Sequence, residues 1–479
     1  MKRYTQLVCL IALVWVVGIV LRAQARPADL TTLPDWTSDG DQTGDEYGFA
    51  VAAGDVNGDG FADLIVGAPK YDAGIYREGA AFLFPGSPGG LAAQPTWIGR
   101  GAQQGSRYAS ALSSGDVNGD GYDDLLIGAP QFRGDNTGEG AAFLYYGSPF
   151  GLNPTPGWQY TSGQADAELG WSVAVVGDLN GDEYADVAVG ARWFVGNAGS
   201  EGTVFIFSGA PTGLPATPDR TLWGGQAAAG FGWSVAGAGD VNGNGYDDLL
   251  VGAPYYDAPP DNDAEPLPDV GGAFLFPGGP GGVAAAPALI LHGSQPDALF
   301  GGSVSGAGDV NGDDRADFLI GAPAHNQAGA AFLWLGANSF PQTPAWQQTG
   351  AEIADQFAYS LGGVGDFNRD GYDDVLIGIP GYSRDHSEEG AAVIYLGGPT
   401  GLGQLAAWRG EGDKADTLFG AAIAAARDIN GDAYADVAIG ARLFRQDRLI
   451  VGRAFVYHGT DIADGLHQQF LPLIQHDDG

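Results

Sequence analysis

Aspartates and asparagines recur along this chain in a fixed nine-residue pattern, of which DVNGDGYDD at residues 116–124 is one copy. Acidic or amide side chains stand at positions 1, 3, 5 and 9, and glycine is frequent at positions 4 and 6. Oxygen ligands at alternate positions of a flexible loop suit Ca²⁺, which also takes a main-chain carbonyl at position 7. The pattern therefore indicates binding of a hard divalent cation.

This acidic loop occurs seven times, at intervals of 57 to 69 residues, and its copies span 55–63, 116–124, 178–186, 240–248, 309–317, 366–374 and 428–436. We expect up to seven Ca²⁺ ions, one for each loop, held by four side chains and the carbonyl of position 7. The predicted ligands, loop by loop, are Asp55, Asn57, Asp59, Phe61 and Asp63; Asp116, Asn118, Asp120, Tyr122 and Asp124; Asp178, Asn180, Asp182, Tyr184 and Asp186; Asp240, Asn242, Asn244, Tyr246 and Asp248; Asp309, Asn311, Asp313, Arg315 and Asp317; Asp366, Asn368, Asp370, Tyr372 and Asp374; and Asp428, Asn430, Asp432, Tyr434 and Asp436.

A helical EF-hand is the first alternative, since its loop also takes ligands from positions 1, 3, 5, 7 and 9. That loop ends with a bidentate Glu at position 12, but position 12 here is Val66 in the first loop and Ile127 in the second. Both residues stand in apolar runs typical of strands. Position 9 must therefore close the site. The loops contain no soft ligands, which disfavours zinc and copper.

The charge of the chain supports a bound cation. The formal net charge is −37, and the seven loops contain 25 of the 58 acidic residues. Three or four carboxylates in one turn repel each other unless a cation lies between them. A solvated turn rich in Asp, Asn and Gly is the alternative, which seven copies in register disfavour. Seven Ca²⁺ ions would add 14 positive charges and change −37 to −23.

The loops are not equivalent. In the fourth loop Asn242 and Asn244 leave two carboxylate ligands, and lower ligand charge predicts weaker calcium binding. Position 6 carries Glu183, Asp314 and Ala433 in the third, fifth and seventh loops, where the others have glycine. If this position needs a positive φ, those three loops are strained. We expect the fourth and seventh sites to lose calcium first.

The elements that must hold these loops repeat with the same period of about 62 residues. A small-residue strand precedes each loop, and an apolar run such as ADLIVGAP (62–69) follows it. A variable polar loop, a run such as GAAFLF (79–84) and a segment bearing tryptophan complete the unit. These short runs between Gly, Pro, Asn and Asp predict four strands per unit. Seven such units predict an all-β, seven-bladed β-propeller, since a β-solenoid usually has shorter repeats.

The two ends of the repeat array predict how the ring closes. Trp97 stands 11 residues before Tyr108, and Trp36 stands equally far before Tyr47. The chain therefore begins with a fourth-strand segment, while the seventh unit ends after its third strand at 453–459. We predict that the N-terminal strand completes the last blade. The competing outer strand is 470–475, which Pro472 interrupts.

These motifs resemble the FG-GAP repeats that form the propeller head of integrin α chains. The matching residues are the aromatic-Gly starts and the GAP triplets, namely Tyr47-Gly48, Phe231-Gly232, Phe300-Gly301 and Phe419-Gly420, the triplets beginning at Gly67, Gly128, Gly252 and Gly321, and the variants at Gly190, Gly378 and Gly440. The resemblance covers about residues 31–460. It implies calcium loops on one face of the ring and ligand contacts on the opposite face.

The sequence also departs from that family. No leg domains or transmembrane helix follow the repeats, no von Willebrand-type domain interrupts them, and all seven loops are intact or nearly so, whereas the family's loops usually bind metal in only some blades. These departures favour a secreted relative that consists of the propeller alone. They disfavour a receptor chain of the animal type.

The domain organisation follows from where the repeats begin and end in the sequence. Residues 1–25 are interpreted as a signal peptide, with Lys2 and Arg3 before the apolar stretch Leu7–Leu21; an uncleaved anchor is the alternative. Residues 26–460 form the predicted propeller, and 461–479 form a tail. The single cysteine, Cys9, lies in the leader, so the mature chain has no disulfide. We expect a secreted monomer, with the cell surface or the periplasm as alternative locations.

The loops between the second and third strands of each unit differ from one another, and they hold eight of the 21 basic residues. Exposed arginine beside aromatic side chains is typical of binding surfaces. The predicted ligand face comprises Tyr71, Arg77, Arg133, Arg192, Trp193, Tyr255, Tyr256, Tyr382, Arg384, Arg442, Phe444 and Arg445. The alternative is that these arginines pair with Glu78, Glu139 and Glu388, with Arg192 and Arg442 bracing the blades. The acidic, proline-rich insertion 257–269 lies in the fourth of these loops.

Two functions fit this sequence. The first is a non-enzymatic, calcium-binding adhesion or ligand-binding module, whose partner is an extracellular protein or glycan and not a nucleic acid. The second is a polysaccharide lyase that uses the central channel, as some FG-GAP-like propellers do. Such an enzyme needs titratable groups near the axis. The candidates are few, with His325 and His386 in variable loops, so the first function is preferred.

Overall fold

The computed structural model describes residues 33–258 and 267–460, and the regular secondary structure of these residues consists almost entirely of β-strands joined by turns and loops. The strands are β1 (Trp36–Asp39), β2 (Ala50–Gly54), β3 (Asp63–Ala68), β4 (Ala80–Phe84), β5 (Trp97–Arg100), β6 (Ala111–Gly115), β7 (Asp124–Ala129), β8 (Ala141–Tyr145), β9 (Trp158–Thr161), β10 (Leu169–Gly177), β11 (Asp186–Ala191), β12 (Thr203–Phe207), β13 (Arg220–Trp223), β14 (Ser234–Gly239), β15 (Asp248–Ala253), β16 (Gly272–Phe276), β17 (Leu289–His292), β18 (Ser303–Gly308), β19 (Asp317–Ala322), β20 (Ala330–Trp334), β21 (Trp346–Thr349), β22 (Ser360–Gly365), β23 (Asp374–Ile379), β24 (Ala391–Tyr395), β25 (Trp408–Glu411), β26 (Ala422–Arg427), β27 (Asp436–Ala441), β28 (Arg445–Gln446), β29 (Leu449–Ile450) and β30 (Arg453–Tyr457). A single 3₁₀ turn, His325–Gln327, lies among the described residues.

Seven antiparallel four-stranded sheets form the blades of a β-propeller, which confirms the predicted fold class. The first six blades take their strands in chain order, from β2-β3-β4-β5 to β22-β23-β24-β25. The inner strands of neighbouring blades lie side by side, and β2 of the first blade contacts β26 of the last, so the ring is closed. The small hairpin β28-β29 projects from the seventh blade.

The seventh blade confirms the predicted ring closure. Its strand order is β26-β27-β30-β1, so the N-terminal strand supplies the outer edge. The pairing of β1 with β30 is antiparallel and places Trp36 opposite Val456 and Asp39 opposite Arg453. Arg453 also forms an ion pair with Asp39 across this junction. The competing segment 470–475 lies outside the described residues.

The repeated glycines explain why the blades approach one another closely. A Cβ at Gly67 would collide with the main-chain carbonyl of Ala109, and a Cβ at Gly128 would collide with that of Gly170. The same contact recurs between each GAP-position glycine and the residue after the aromatic of the next blade. The two halves of the repeated motif therefore meet across each blade junction, where only a residue without a side chain fits.

Apolar second and third strands fill the spaces between the blades. The second strand is buried along its whole length in every blade, as in DLIVGA of β3. Between the first and last blades, Val66 and Phe82 pack with Ala438 and Val456. Burial of these side chains drives closure of the ring, because each strand is apolar on the faces toward both neighbours.

The antiparallel topology creates two faces. The acidic-loop face comprises the loops between first and second strands and between third and fourth strands. The variable-loop face comprises the loops between second and third strands and the connections from one blade to the next. Within the described ranges 33–258 and 267–460, no helix has the length and apolar character needed to cross a membrane.

Candidate metal loops and variable-loop face

The acidic loops share one internal hydrogen-bond pattern. In the first loop Asp55 Oδ1 accepts from the amides of Gly58 and Asp59, at 2.7 and 3.1 Å, and its Oδ2 accepts from Gly60 at 2.9 Å. The amides of positions 5 and 6 donate to the carboxylate of position 1 in all seven loops. Position 1 therefore holds the turn together as an Asx-type acceptor.

The aspartate at position 9 connects each loop to its blade. Asp63 Oδ2 accepts from the Val56 amide in its own loop, and Oδ1 accepts from Gly86 in the loop between the third and fourth strands. The equivalent pair of bonds occurs in every blade. These carboxylates are buried, and an ionised carboxylate has about four acceptor sites. Outside the fourth loop, where Asn242 also donates to both oxygens of Asp248, each oxygen therefore retains acceptor capacity for a cation.

Burial gives these carboxylates unusual proton affinity. It raises the pKa of Asp63, Asp124 and Asp374 to about 7, mainly through desolvation, while two main-chain amides act in the opposite direction. The carboxylates at positions 1 and 5 of the same loop raise the pKa further by repulsion. A cation bound between them would reverse both effects, since it stabilises the ionised form.

The donor set of the loops fits calcium. Among residues 33–258 and 267–460, no group of three His, Cys, Asp or Glu side chains is arranged to hold a metal ion. The predicted ligand sets also include amide and carbonyl oxygens, which calcium accepts. In the fifth loop Asn311 Oδ1 at position 3 is buried and accepts no hydrogen bond. A buried oxygen without a donor is costly, and a cation ligated by Asp309, Asn311 and Asp313 would satisfy it. The ligand assignments remain predictions.

The backbone confirms that position 6 adopts a positive φ. The angle lies between 64° and 92° in all seven loops, including 71° at Glu183, 64° at Asp314 and 70° at Ala433. Position 4 is also left-handed, and there the sixth loop has Arg369 at 61° in place of glycine. This second strained position was not predicted, although Arg369 visibly replaces the glycine of the other loops in the sequence.

The fourth loop has a side-chain contact that competes with a cation. Asn242 Nδ2 donates to both carboxylate oxygens of Asp248, at 3.1 and 2.9 Å. In the other loops the asparagine at position 3 makes no equivalent contact with position 9; for example, Asn118 Nδ2 donates to Asp120 instead. This contact agrees in direction with the prediction of weak calcium binding in the fourth loop.

On the variable-loop face, glutamine side chains join successive loops through paired hydrogen bonds, which were not predicted from the sequence. Gln103 Nε2 donates to the Arg133 carbonyl at 2.7 Å, and its Oε1 accepts from the Arg133 amide at 2.6 Å. Gln42, Gln164 and Gln226 make the same paired contact, while Gln295 pairs with Asn326. Their spacing of 61 to 69 residues was the available signal.

A cage of aromatic rings surrounds Arg192 on the same face. The guanidinium carbon lies 3.0 Å from the ring centroid of Trp171 and 4.5 Å from that of Trp233. Arg192 Nε is 2.6 Å from Glu168 Oε2, and both side chains are largely buried. Trp193 stacks on Tyr255 beside them. Arg192 therefore acts as a brace between the third and fourth blades, which is the structural alternative considered above.

Other members of the predicted ligand face divide between packed and exposed positions. Phe444 is 2% exposed and packs against Phe455. It therefore belongs to the core, and its placement on the ligand face was wrong.

Three further members of the predicted ligand face pack against ring side chains: Tyr71 packs on Phe82, Tyr256 stacks on His292, and Arg442 lies over the ring of Phe49. Arg384 and Arg445 reach Glu411 and Asp416, and Arg409 lies near Tyr382. Arg77 and Arg133 are exposed.

The acidic partners that we expected for these arginines have another role. Glu78 and Glu139 are buried and accept from main-chain amides of their own loops, Ala73 and Asn136 respectively. Glu201 and Glu389 do the same in the third and sixth blades. These glutamates shape the loops from within. At the base of the insertion 257–269, the Ala258 amide donates a hydrogen bond to the Leu267 carbonyl.

Comparison with known proteins agrees with this architecture. The family model described as FG-GAP repeat matches residues 47–84, 108–145, 169–207, 231–266, 300–334, 357–396 and 419–456. Six of the seven matched segments begin at an aromatic residue before the inner strand, the third begins at Leu169, and each segment includes one acidic loop. The matched segments together cover more than half of the chain.

Several curated proteins are similar in sequence. Integrin alpha-5 of Xenopus laevis is 35% identical over 217 residues, or 43% of this chain. Integrin alpha-V of Gallus gallus is 35% identical over 222 residues, or 44% of this chain. The alignments span 20% of the length of these relatives. Among solved structures, the BBS1N chain crystallised with ARL6DN has a TM-score of 0.52 at 10% identity, covering 90% of this chain and 98% of that one; it shows the fold alone.

Proposed function

Since this chain belongs to the FG-GAP repeat family, we propose that it is a calcium-binding propeller that acts outside the cell as a non-enzymatic adhesion or ligand-binding module. The proposal includes a signal peptide at 1–25, a propeller at 26–460 and a tail at 461–479. The observation that carries the calcium part is the buried aspartate at position 9, whose pKa is raised by at least one other carboxylate of the same loop in every blade. Similarity to integrin alpha chains supports the ligand-binding part.

Calcium would serve as a structural clamp on the ring. In each loop the residues at positions 1, 3, 5, 7 and 9 would hold the ion, and its charge would offset repulsion among their carboxylates. The described part of the chain contains no cysteine, so metal binding would provide the stabilisation that disulfides often give exported proteins. Binding to the folded state alone raises stability by mass action.

Removal and return of calcium tests the metal assignment. We expect EDTA to lower the melting temperature of the full chain measured by calorimetry, and excess Ca²⁺ to restore it. Mg²⁺ at the same concentration should restore less, because it requires stricter octahedral geometry. A melting temperature that is the same with EDTA and with Ca²⁺ would contradict the proposed calcium sites.

The variable-loop face is the proposed contact surface for an extracellular protein or glycan. Its exposed residues include Arg77, Tyr76 and Arg445, with Tyr76 57% exposed. A glycan array and a pull-down of extracellular proteins would identify a ligand. Arg77→Ala and Arg445→Ala should weaken its binding at least fivefold, whereas Arg220→Ala, at the start of the fourth strand β13 on the acidic-loop face, should not. Equal binding by all three variants would place the contact elsewhere.

The lyase alternative has a direct test. His325 packs against Phe332, and burial lowers its pKa, while His386 lies 3.2 Å from Glu389. These contacts give both histidines structural neighbours in their own loops. Activity should be screened on acidic polysaccharides with and without a chelator. Cleavage that is lost in His325→Ala would overturn the non-enzymatic proposal.

A further inference from the structure

Adjacent acidic loops contact one another around the whole ring. The side chain at position 7 of one loop packs on position 4 of the preceding loop, as Tyr122 does on Gly58 and Tyr184 on Gly119; this side chain is aromatic in every loop except the fifth, where Arg315 lies against Gly243. The contact continues across the ring closure, where Phe61 of the first loop packs on Gly431 of the seventh. Each loop therefore forms part of the surroundings of its neighbour.

Position 8 alternates between aspartate and alanine from blade to blade. The first, third, fifth and seventh loops have Ala62, Ala185, Ala316 and Ala435, and the second, fourth and sixth have Asp123, Asp247 and Asp373. This residue immediately precedes the position-9 ligand. Position 8 is not among the predicted calcium ligands, so the aspartates at this position need another explanation.

The three aspartates bind the main chain of the preceding loop through both the carboxylate and the amide. The amide bond by itself does not require aspartate, since Ala62 makes it to the Asp428 carbonyl and Ala316 makes it to the Asp240 carbonyl, at 2.9 and 3.2 Å; the carboxylate bond is what the aspartates add. Asp247 Oδ2 accepts from the amide of Asp178, the position-1 residue of the third loop, at 2.8 Å, and the Asp247 amide donates to the Asp178 carbonyl at 3.0 Å. Asp373 makes the same two bonds with Asp309, at 2.8 and 3.1 Å. Asp123 makes them with Asp55, both at 2.9 Å.

The residue before position 1 is glycine in each loop that one of these aspartates contacts. Gly54, Gly177 and Gly308 face Asp123, Asp247 and Asp373 in turn, and a Cβ at each glycine would collide with the carboxylate. The equivalent residue in the seventh blade is Arg427, and the next loop in the ring has Ala62. Glycine also precedes position 1 in the second, fourth and sixth loops, as Gly115, Gly239 and Gly365, although the next loop there has alanine at position 8, so Arg427 is the exception among the seven. Arg427 Nη1 instead lies 2.6 Å from Asp123 Oδ2, two blades away.

We propose that Asp123, Asp247 and Asp373 are positioning residues that couple calcium binding in their own loops to calcium binding in the preceding loops. The seven loops then behave as three pairs, 1–2, 3–4 and 5–6, with the seventh outside them. This inference rests on the proposed calcium function. Ordering position 9 by a cation also fixes position 8, and position 8 holds the peptide that carries the position-1 ligand of the neighbour.

Such coupling is reciprocal, because each loop that is ordered lowers the cost of ordering the other. The aspartate also supplies negative charge between two sites whose cations would otherwise repel each other. The pair 1–2 is expected to couple least, since Arg427 neutralises part of the charge of Asp123. The pairs 3–4 and 5–6 have no such cation within the described contacts of Asp247 and Asp373.

The pair 5–6 offers the sharpest test. Hydrogen–deuterium exchange of the full chain is measured by mass spectrometry during a Ca²⁺ titration. For the peptides that cover each loop it gives a midpoint, which is the Ca²⁺ concentration at which protection of that loop is half complete. In Asp373→Ala we expect the midpoint of 309–317 to rise about fivefold, a typical coupling effect, while that of 178–186 stays unchanged. The substitution should fold, since alanine is the native residue at this position in four blades.

Two further variants distinguish coupling from general loss of charge. Asp314→Asn removes one negative charge from the fifth loop at position 6, which is exposed and is not a predicted ligand. The calcium midpoint of 309–317 should therefore shift less in Asp314→Asn than in Asp373→Ala. Ala316→Asp should lower the midpoint of 240–248, because the facing residue is already Gly239. Equal shifts in Asp373→Ala and Asp314→Asn would overturn the coupling alone, whereas no calcium protection in any wild-type loop would overturn the calcium function as well.

Discussion

The two faces of the propeller use hydrogen bonds in different ways. On the acidic-loop face, nine consecutive residues make nearly the same bonds seven times, and the aspartate at position 9 fixes each loop to its own blade. On the variable-loop face, residues about 30 positions apart hold the loops, as Gln103 holds Arg133. Short-range contacts keep the first face constant. Long-range side-chain contacts allow the second face to differ between blades.

Removal of a position-9 carboxylate should have the largest effect. Asp374→Ala leaves the buried amides of Phe367 and Gly397 without acceptors, and we expect the free energy of unfolding to fall by about 3 kcal/mol. Chemical denaturation at saturating Ca²⁺ would measure the loss. Asp385→Ala, at an exposed position of the variable-loop face, should change stability by less than about 0.5 kcal/mol. Equal effects would contradict the distinction between the faces.

The cage around Arg192 should be the most sensitive point of the variable-loop face. Arg192→Met keeps an apolar stem but removes the ion pair with Glu168 and the contacts with Trp171 and Trp233. We expect a loss of about 2 kcal/mol together with a shift in tryptophan fluorescence. The matched variant Arg133→Met, at an exposed arginine, should leave both measurements unchanged. An unchanged spectrum in Arg192→Met would show that the cage does not depend on its cation.

Asp45 lies on the variable-loop face, and its burial predicts that the free energy of unfolding depends on pH. Burial raises its pKa to about 7, repulsion from Asp41 adds to the shift, and Oδ2 has no hydrogen-bond partner. A folded-state pKa above the unfolded value means that stability is present at low pH and lost as the pH rises through about 7. Asp45→Asn should therefore match the wild type at pH 5 and exceed it by about 2 kcal/mol at pH 8.

This comparison should be made by calorimetry at saturating Ca²⁺. The aspartates at position 9 also have raised pKa values, and calcium bound as proposed would hold them ionised, so their contribution would be suppressed under that condition. If the difference between Asp45→Asn and wild type is the same at pH 5 and pH 8, Asp45 does not titrate in this range.

The smallest predicted effect concerns backbone strain in the acidic loops. Ala433 has a φ of 70° at position 6 of the seventh loop, where most loops have glycine. Ala433→Gly should stabilise the protein by up to about 1 kcal/mol and lower the calcium midpoint of 428–436. Gly371→Ala is the reverse change, and its added Cβ would meet no atom within 4 Å. A loss of similar size there would show that the cost is conformational.

Much of the architecture could be predicted because the chain repeats it. The 11-residue spacing from Trp36 to Tyr47 was enough to predict that the first strand completes the last blade, as β1 does beside β30. The positive φ of position 6 could also be predicted from the glycines of the other loops. Phe444 could not be placed, because an aromatic residue in a loop has the same sequence signal whether it packs inward or faces solvent.

The sequence by itself determined the number of blades, the ring closure and the identity of the seven acidic loops, since each follows from a local pattern repeated at a regular interval. Only the tertiary structure showed that Asp247 bonds to Asp178 and that Arg192 lies among Trp171, Trp233 and Glu168. These contacts join neighbouring blades. They depend on how the closed ring sets one blade beside the next, which local periodicity does not specify.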